Sequence, residues 1–379
     1  MVTPKPQDSG SNESPKQRKA KRPPSQIDPE MVQPLSAIQR TIRSKAPSMS
    51  REEVRFLVDS YYRVQKDRIR TNHQYNALVT EGRDHEALTW FLENNELLEK
   101  GVESLLKSFA DGNLVTQWSQ SIVGIGPIIS AGLYAHIDMD RAETAGAIWR
   151  YAGLDPTLDW LGKERAKTLV NDVQGKDRKL TNRHVAVIAS RVNRKTEQVH
   201  LLALNQKNSK KAETDFVDEE TIDTGENSAL PYSRTDLINA LSKRPWNGAL
   251  KTLCWKIGNS FEKTKNRDAD VYGKILAERR EYEEVKNENG DYAESALART
   301  TGKGAVGKGT VAYKYYIEGR LPPGHLRARS LRYATKIFLS HWHQVAYEIH
   351  HGRKAPAPFV ISILGHKDMI DPPNWPISS

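Results

Sequence analysis

Apolar residues recur at helical spacing in two consecutive segments of the first third of the chain. The first segment follows Ser50-Arg51-Glu52-Glu53, which has the form of a helix capping box, and is apolar at positions 54, 57, 58, 61, 64, 75 and 78. The second segment is apolar at positions 88, 91, 92, 98, 102, 105, 106 and 109. This pattern predicts two long amphipathic helices, which form an antiparallel helical hairpin or half of a coiled coil with a partner chain.

The helical pattern resumes in the second half of the chain. It predicts one helix around Leu250–Phe261, another from about Ala277 to Lys286, and a last strong helix from about Leu326 to His350. Residues 164–204 show no single period, and we interpret them as mixed short elements. The predicted fold class is mainly α, with a long helical hairpin followed by a compact helical domain that contains a helix-hairpin-helix motif.

Composition along the chain suggests where these parts begin and end. Residues 1–35 are rich in Pro, Ser and Lys, which predicts a disordered basic arm. We assign residues 36–115 to the helical hairpin or coiled coil and residues 116–352 to the compact domain. That domain carries a polar insert at 205–235, which has no helical or strand period, and the proline-containing residues 353–379 form an irregular tail.

Composition also limits the classes of function. The chain has one cysteine, Cys254, which excludes an internal disulfide framework and any zinc or iron–sulfur site built from four cysteines. No run of 18 apolar residues predicts a transmembrane helix, and the N-terminus lacks the apolar core of a secretory signal. We therefore expect a cytoplasmic protein with no membrane partner, and the sequence predicts no cofactor.

Positive charge is concentrated in particular segments. The net charge is +10, and residues 299–354 contain eleven Lys/Arg against two acidic residues. The segment 213–226, by contrast, holds seven acidic residues and no basic one. A concentrated basic excess is typical of a surface that binds nucleic acid.

A glycine-flanked turn at residues 124–127 is the main candidate for phosphate binding. Gly124-Ile125-Gly126-Pro127 lies between two apolar helical patterns, which is the form of a helix-hairpin-helix turn. Glycines allow a tight turn whose N–H groups face outward, and proline favours the first turn of the following helix. The N-terminus of that helix can hold a phosphate oxygen without reading bases, while Ile125 is expected to anchor the turn in the core. There are two alternatives to phosphate binding at this turn: an ordinary tight turn between core helices, and the helix-hairpin-helix of a DNA glycosylase.

The turn is followed by a second block, Tyr151-Ala152-Gly153-Leu154-Asp155-Pro156. The two blocks, in this order, resemble the C-terminal domain of the IS-one-ten, IS116 and IS902-like insertion-sequence transposases. The helix 54–78 resembles the coiled-coil helix that precedes that domain, and the helix 329–342 resembles its closing helix. The resemblance covers about residues 50–350, with an insertion near 165–235, and implies a scaffold that binds DNA, with structured RNA left open.

The sequence departs from that family at its catalytic parts. The family combines a metal-binding acidic, resolvase-like N-terminal domain with a serine, shortly after the second block, that forms a covalent link to DNA. The residues before position 50 are too few and too polar for such a domain, and the serine position falls on Leu161. Leucine has no nucleophilic oxygen, so the sequence predicts no catalytic residue and leaves enzymatic activity open.

Two further basic features are candidates for backbone contacts. The loop 302–310 nearly matches a P-loop, but Gly309 stands where Ser or Thr would bind magnesium, so we interpret it as a flexible basic loop carrying Lys303 and Lys308. On the last predicted helix, Arg329, Arg332 and Lys336 form a ridge opposite the apolar face. A plain surface loop is the alternative for the first feature, and ordinary solvated charge is the alternative for the second.

The histidines and serines provide no convincing site. His341 and His343 are two residues apart and point to different sides of a helix, so we predict no metal site. Ser190, Ser260 and Ser330 each lack a visible His and Asp partner in the sequence.

The leading hypothesis is a DNA-binding protein related to insertion-sequence transposases. One alternative is an active transposase or recombinase with a relocated nucleophile or a partner-supplied catalytic domain. Another is a non-enzymatic protein–protein interaction module, and the exposed hairpin is compatible with a homodimer through residues 50–110.

Overall fold

The computed structural model describes residues 43–83, 86–155, 160–208, 225, 228, 230–302, 305–356 and 370–376. Every regular element assigned within these ranges is a helix, which confirms the predicted mainly α fold class. A short 3-10 turn at Ala46–Ser48 precedes the α-helices. These are α1 (Arg51–Thr80), α2 (Glu86–Asp111), α3 (Leu114–Gln120), α4 (Pro127–His136), α5 (Ala145–Tyr151), α6 (Gly162–Gln174), α7 (Asn182–Arg191), α8 (Thr196–Asn208), α9 (Arg234–Ser242), α10 (Gly248–Thr264), α11 (Val271–Glu288), α12 (Ala293–Leu297), α13 (Val311–Ile317) and α14 (Pro323–His351).

The chain divides into two compact units. The first comprises Met1–Thr41 and Arg63–Gly101, and its described part is the end of the helical hairpin formed by α1 and α2. Arg68 pairs with Glu99 across the hairpin, and the Gln65 Nε2 donates to Glu99 Oε1 at 3.1 Å. Because positions 68 and 99 are nearly equidistant from the connection at 81–85, the two helices run antiparallel, as predicted.

The second unit comprises Ile42–Tyr62 and Val102–Ser379 and is built around α14. This helix packs against α10 and α11, and its apolar face enters the largest hydrophobic cluster. Phe338 stacks on Trp118 of α3 with ring centroids 6.0 Å apart, and it meets Tyr272 of α11 edge-on at 5.2 Å. The burial of this face follows from the apolar spacing of α14 in the sequence.

A second cluster lies among α6, α7, α8 and α9. Its fully buried members include Val170, Ile188, Val199 and Leu237. The interpretation of 164–204 as mixed short elements is wrong, since most of these residues belong to α6, α7 and α8. Their apolar residues have helical spacing, but the helices are short and separated by charged turns, which obscures the period in the sequence.

A third cluster places the glycine-flanked turn by burying the helix that follows it. Ala131 and Ala135 of α4 pack among apolar residues that include Val58 of α1 and Leu106 of α2. Arg55 of α1 donates from its Nη2 to the Ala135 carbonyl at 2.7 Å, at the last turn of α4. The orientation of α4, and therefore of its N-terminus, is set by these contacts.

Other predicted regions fall largely outside the described residues. These are the basic arm at 1–35, the acidic run at 213–226 apart from Gly225, and residues 357–369 of the tail. The described end of the tail packs on the domain, because Trp118 Nε1 donates to the Pro373 carbonyl at 2.8 Å. In the ranges that the structure covers, no helix is both long enough and apolar enough to cross a membrane.

Candidate nucleic-acid interface

The turn between α3 and α4 is tight and anchored in the core. The Ile125 N–H donates to the Ile122 carbonyl at 3.0 Å, and the Ile125 side chain is 5% exposed within the main cluster. Ile125 is thus buried as expected from the sequence. A buried side chain at the centre of the turn holds the flanking backbone in one orientation.

Gly124 packs closely against α10. Its φ is +90°, a region that favours glycine, and its carbonyl accepts a hydrogen bond from Ser260 Oγ at 2.5 Å. A Cβ at this position would lie 3.1 Å from both Ser260 Oγ and Thr264 Oγ1. This glycine is therefore required by the local packing, whatever else the turn does.

Gly126 faces open space. It is the N-cap of α4 with φ −96°, no side chain caps the helix there, and Pro127 occupies the first turn. A Cβ at Gly126 would meet no other atom within 4 Å. The α4 N-terminus is therefore accessible to an anion at this glycine, with the helix dipole favouring negative charge.

Three basic residues that the sequence analysis did not single out lie close in the chain to the residues of α10 that touch the turn. Lys263, Lys265 and Arg267 are exposed and lie within three residues of Thr264, which borders Gly124. The sequence gave no sign that these residues lie near the turn, because α10 is brought to the turn by a tertiary contact.

A groove of about 590 Å³ lies on a different part of this unit, between α10, α14 and the loop after α5. Its lining includes five Lys/Arg side chains and a single carboxylate: Lys251, Arg299, Arg327, Arg329, Arg332 and Asp155. Residues 251 and 260 of α10 are nine apart, which is about 180° around a helix. The groove and the turn therefore lie on opposite sides of α10, and the structure does not join the predicted turn and ridge into one surface.

The ridge arginines of α14 have different surroundings. Arg329 Nε lies 2.5 Å from Glu283 Oε2, and its guanidinium stacks over the Tyr292 ring at 4.6 Å. Arg332 is exposed and has no carboxylate partner within the described part of the chain. Although Arg332 is exposed, the protein around it removes part of its solvation, and this desolvation lowers the pKa of Arg332; Arg329 lowers it further while Glu283 opposes the shift. Arg332 is therefore the ridge arginine that remains available to an anion.

Lys336 lies beside an aromatic ring and is half-buried. Its Nζ is 4.9 Å from the Trp149 ring centroid, and Trp149 Nε1 donates to the Lys336 carbonyl at 3.1 Å. Burial lowers the pKa of Lys336, Asp155 opposes that shift, and Arg332 adds to it. In the basic loop, Lys308 is exposed, whereas Lys303 lies outside the described residues.

The histidines of α14 have structural partners. His341 Nδ1 accepts from the Tyr272 hydroxyl at 2.7 Å, and its Nε2 donates to the Ile370 carbonyl at 2.8 Å. His343 Nε2 donates to the Ala142 carbonyl at 2.8 Å. Across the residues with described coordinates, no group of three or more His, Cys, Asp or Glu side chains is placed to hold a metal ion.

Leu161 lies at the start of α6. It is the N-cap residue of that helix, and its side chain packs against the second cluster. Position 161 thus carries a packing side chain, with no hydroxyl that could attack a phosphodiester.

Comparison with curated proteins finds no match, and neither does comparison with solved structures. A scan against protein-family models finds one described as Transposase IS116/IS110/IS902 family, which matches residues 118–199. The match begins in α3, contains the 124–127 turn, the 151–156 block and position 161, and ends in α8. The matched segment is shorter than residues 50–350, over which the sequence analysis expected the resemblance. It also continues into residues 165–199, which were expected to belong to an insertion. The transposase resemblance is confirmed there: residues 118–199 of this chain match the Transposase IS116/IS110/IS902 family, which indicates a transposase-related role.

Proposed function

We propose that this chain is a transposase-related protein that binds DNA by its sugar–phosphate backbone, through the turn Gly124, Ile125, Gly126 and Pro127. One observation carries the proposal: within the family-matched segment, the N-cap of α4 is a glycine that faces open space. A backbone N–H at a helix N-terminus suits a phosphate oxygen, and the missing Cβ allows close approach.

Nearby positive charge supports this contact. Lys263, Lys265 and Arg267 follow the residues of α10 that touch Gly124. Each lysine or arginine that neutralises a phosphate releases a counterion, so the affinity should fall steeply with salt. The exposed Arg332, together with Lys336 and the loop lysines 303 and 308, would add contacts elsewhere on the protein.

We propose that the protein binds DNA but that residue 161 does not cleave a strand. Leu161 occupies the place where the family resemblance puts the nucleophilic serine, and its side chain packs on the second cluster. Incubation of the purified protein with supercoiled DNA and Mg²⁺ should leave the DNA intact. A covalent protein–DNA adduct would instead support a transposase with a relocated nucleophile.

The binding proposal is tested by substituting the open glycine. Gly126→Val places a side chain where phosphate would approach, and it should weaken duplex binding by about 5- to 50-fold, equally for unrelated sequences. Gly146→Val is the matched control, because residue 146 is a glycine in the first turn of α5 whose added Cβ would make only an ordinary contact, 3.8 Å from Thr144 Oγ1.

Fluorescence anisotropy with a labelled duplex, measured over a series of salt concentrations, gives both the affinity and the salt dependence. Circular dichroism checks that both variants are folded. Equal affinities of the wild type and the Gly126→Val variant would refute the role of the turn. If no duplex is retained even at low salt, DNA binding itself is refuted and the interaction-module alternative gains support.

Self-association through the hairpin is a second candidate property. Trp90 and Phe91 of α2 are 48% and 54% exposed, and their rings meet edge-on with centroids 5.1 Å apart. Large exposed aromatic side chains are enriched at protein interfaces. Sedimentation equilibrium of the wild type and of a Trp90→Ser, Phe91→Ser variant should show a dimer that the double substitution dissociates; a monomeric wild type would refute it.

A further inference from the structure

The groove between α10 and α14 combines exposed cations with an exposed indole. Trp255 of α10 lines it and is 62% exposed, although neighbouring Leu253 and Cys254 on the same helix are buried. An exposed tryptophan between basic side chains is typical of proteins that stack the bases of a single strand.

We propose that this groove binds an unpaired nucleic-acid strand, with a base stacked on Trp255 and phosphates held by Lys251, Arg299 and Arg332. The proposal rests on the nucleic-acid binding proposed above, but it concerns a surface away from the 124–127 turn, with Arg332 as the cation common to both proposals, and a different form of the ligand. The bases of a duplex are already stacked on one another, so only an unpaired base can lie flat on the indole.

The cations of the groove divide into paired and unpaired ones. Arg327 pairs with Glu262, and Arg329 shares Glu283 with Arg279, so both guanidiniums are held by carboxylates within the protein. Lys251, Arg299 and Arg332 have no carboxylate partner among the residues whose coordinates are described. These three side chains are the ones that can neutralise phosphates.

Their mutual proximity supports an anion site. Burial lowers the pKa of Lys251, and Arg332 and Arg244 lower it further. Burial also lowers the pKa of His325, and Arg299, Arg329 and Arg332 add to that shift while Glu283 opposes it. Cations crowded together repel one another, and a strand of phosphates between them would relieve that repulsion.

The acidic residue in the lining does not cancel this charge. Asp155 lies near Arg150, with 3.6 Å between the carboxylate and Arg150 Nε, so its charge is shared with a cation outside the groove lining. The lining therefore remains strongly positive in sum.

The packing at one wall of the groove explains how Lys251 is placed. The Trp246 ring packs on Gly153, where a Cβ would lie 2.7 Å from the indole, and Lys251 Nζ sits 3.9 Å from the Trp246 ring centroid. Gly153 belongs to the 151–156 block, and its φ of +66° also favours glycine. This glycine lets the indole lie flat against the turn and support the lysine.

The groove continues past Arg299 and His325. These two residues also line a second hollow of about 600 Å³, whose other lining residues include Val311 and Tyr315 of α13. A strand leaving Trp255 could follow the positive charge in that direction. Such an extended path suits several consecutive nucleotides, as in other proteins that bind single strands.

The proposal is tested with the full-length chain and three labelled probes of about twelve nucleotides: oligothymidylate, oligouridylate and a DNA duplex. Trp255→Ala should weaken binding of both single strands by about 5- to 100-fold and leave duplex binding unchanged. Trp255→Phe keeps an aromatic face and should retain most of the affinity. Phe56→Ala, which removes an aromatic side chain of α1 that is 65% exposed, is the matched control and should have no effect on single strands.

The cations are tested in the same assay. Arg332→Gln should lower single-strand affinity and reduce the salt slope by about 1, because one phosphate contact is lost. Comparable binding of both single strands is expected, since stacking and phosphate contacts are common to DNA and RNA. A strong preference for oligouridylate would identify RNA as the source of the strand.

The outcomes separate this proposal from the preceding one. If duplex DNA binds and depends on Gly126, but single strands bind equally to the wild type and to Trp255→Ala, the groove proposal is wrong and the turn proposal stands. If the single strands depend on Trp255 while Gly126→Val has no effect on any probe, the groove proposal is supported and the turn proposal fails. If no probe binds at low salt, both are refuted.

Discussion

Arg329 Nε lies 2.5 Å from Glu283 Oε2, and the Glu283 side chain is 1% exposed. Arg279 donates to the other carboxylate oxygen at 2.6 Å and the Tyr292 hydroxyl donates to Oε2 at 2.6 Å. A buried carboxylate is tolerated only when it is paired and hydrogen-bonded. A residue that the sequence suggested as a DNA contact is therefore also a partner of a buried charge that joins α14 to α11.

Loss of that partner should destabilise the fold. Arg329→Met leaves Glu283 with Arg279 and Tyr292, and we expect the free energy of unfolding to fall by about 2–4 kcal/mol. Arg332→Met is the matched control, because Arg332 lies one turn along the same helix and is exposed. Urea denaturation followed by circular dichroism measures both; equal stabilities of the two variants would contradict a structural role for Arg329.

The same carboxylate should make stability depend on acidic pH. Burial by itself raises the pKa of Glu283, but the hydrogen bonds from Arg329, Tyr292 and Arg279 outweigh it and hold that pKa below its ordinary value of 4.5. The stabilisation is therefore present above pH 4.5 and is lost as the pH falls through the lower native pKa. Glu283→Gln should be less stable at pH 7 and should lose less stability than the wild type as the pH falls below 4.5; a loss equal to that of the wild type would count against this assignment.

His341 should produce a second loss of stability at higher pH. Burial lowers its pKa from 6.5 to about 4, while the Ile370 carbonyl opposes the shift. Between these two values the unfolded chain binds a proton that the native histidine does not, so stability is full above pH 6.5 and falls down to about pH 4. The effect is on the order of 3 kcal/mol.

Urea denaturation at several pH values measures this dependence. His341→Gln should flatten it between pH 6.5 and about pH 4. His73→Gln, at an exposed position of the hairpin, should keep the wild-type curve. An unchanged curve for His341→Gln would show that other buried histidines are responsible.

Gly124 and Gly146 should respond differently to the same substitution. Gly124→Ala places a Cβ 3.1 Å from Ser260 Oγ in a residue with φ +90°, and we expect a loss of about 1–3 kcal/mol in the free energy of unfolding. Gly146 lies within α5, and a Cβ there would make only an ordinary contact. Gly146→Ala should therefore leave the free energy of unfolding unchanged or raise it by up to about 1 kcal/mol. Thermal or urea denaturation compares the two, and a stable Gly124→Ala variant would mean that the turn relaxes freely.

Cys254 should be unreactive in the native protein. Its side chain is 1% exposed, and burial raises the pKa of the thiol to about 12, so the nucleophilic thiolate is scarce at neutral pH. A chromogenic disulfide reagent should label it slowly in buffer and completely in denaturant. Rapid labelling of the folded protein would show that the groove wall beside Trp255 opens readily.

The long helices were predictable from the sequence because each has a sustained apolar period. The capping box at residues 50–53 forms as expected: the Ser50 N–H donates to Glu53 Oε2 at 2.7 Å. The last helix, predicted from about 326 to 350, is Pro323–His351. The shorter helices α6 to α8 were missed because each offers only two or three turns of pattern between charged residues.

The candidate site was predictable only in part. Glycines 124 and 126 marked a turn, and the structure shows that they differ: Gly124 packs on α10, whereas Gly126 faces open space. Trp255 carried no signal, since a tryptophan next to Leu253 and Cys254 in an apolar segment has the appearance of a core residue. Its exposure depends on which elements pack against α10, and Trp255 lies at the open groove beside α14.

The amino-acid sequence by itself determined the helical fold class, the antiparallel hairpin, the tight turn at Gly124 and the transposase resemblance, because these depend on local spacing and on motifs contiguous in the chain. Only the tertiary structure decided which charges are paired and which are exposed. Arg329 and Arg332 look alike on a helical projection, but Glu283, 46 residues earlier in the chain, pairs with Arg329 and leaves Arg332 at the groove. Periodicity reports which side of a helix is apolar, whereas the partner of a charged side chain depends on which distant element packs beside it.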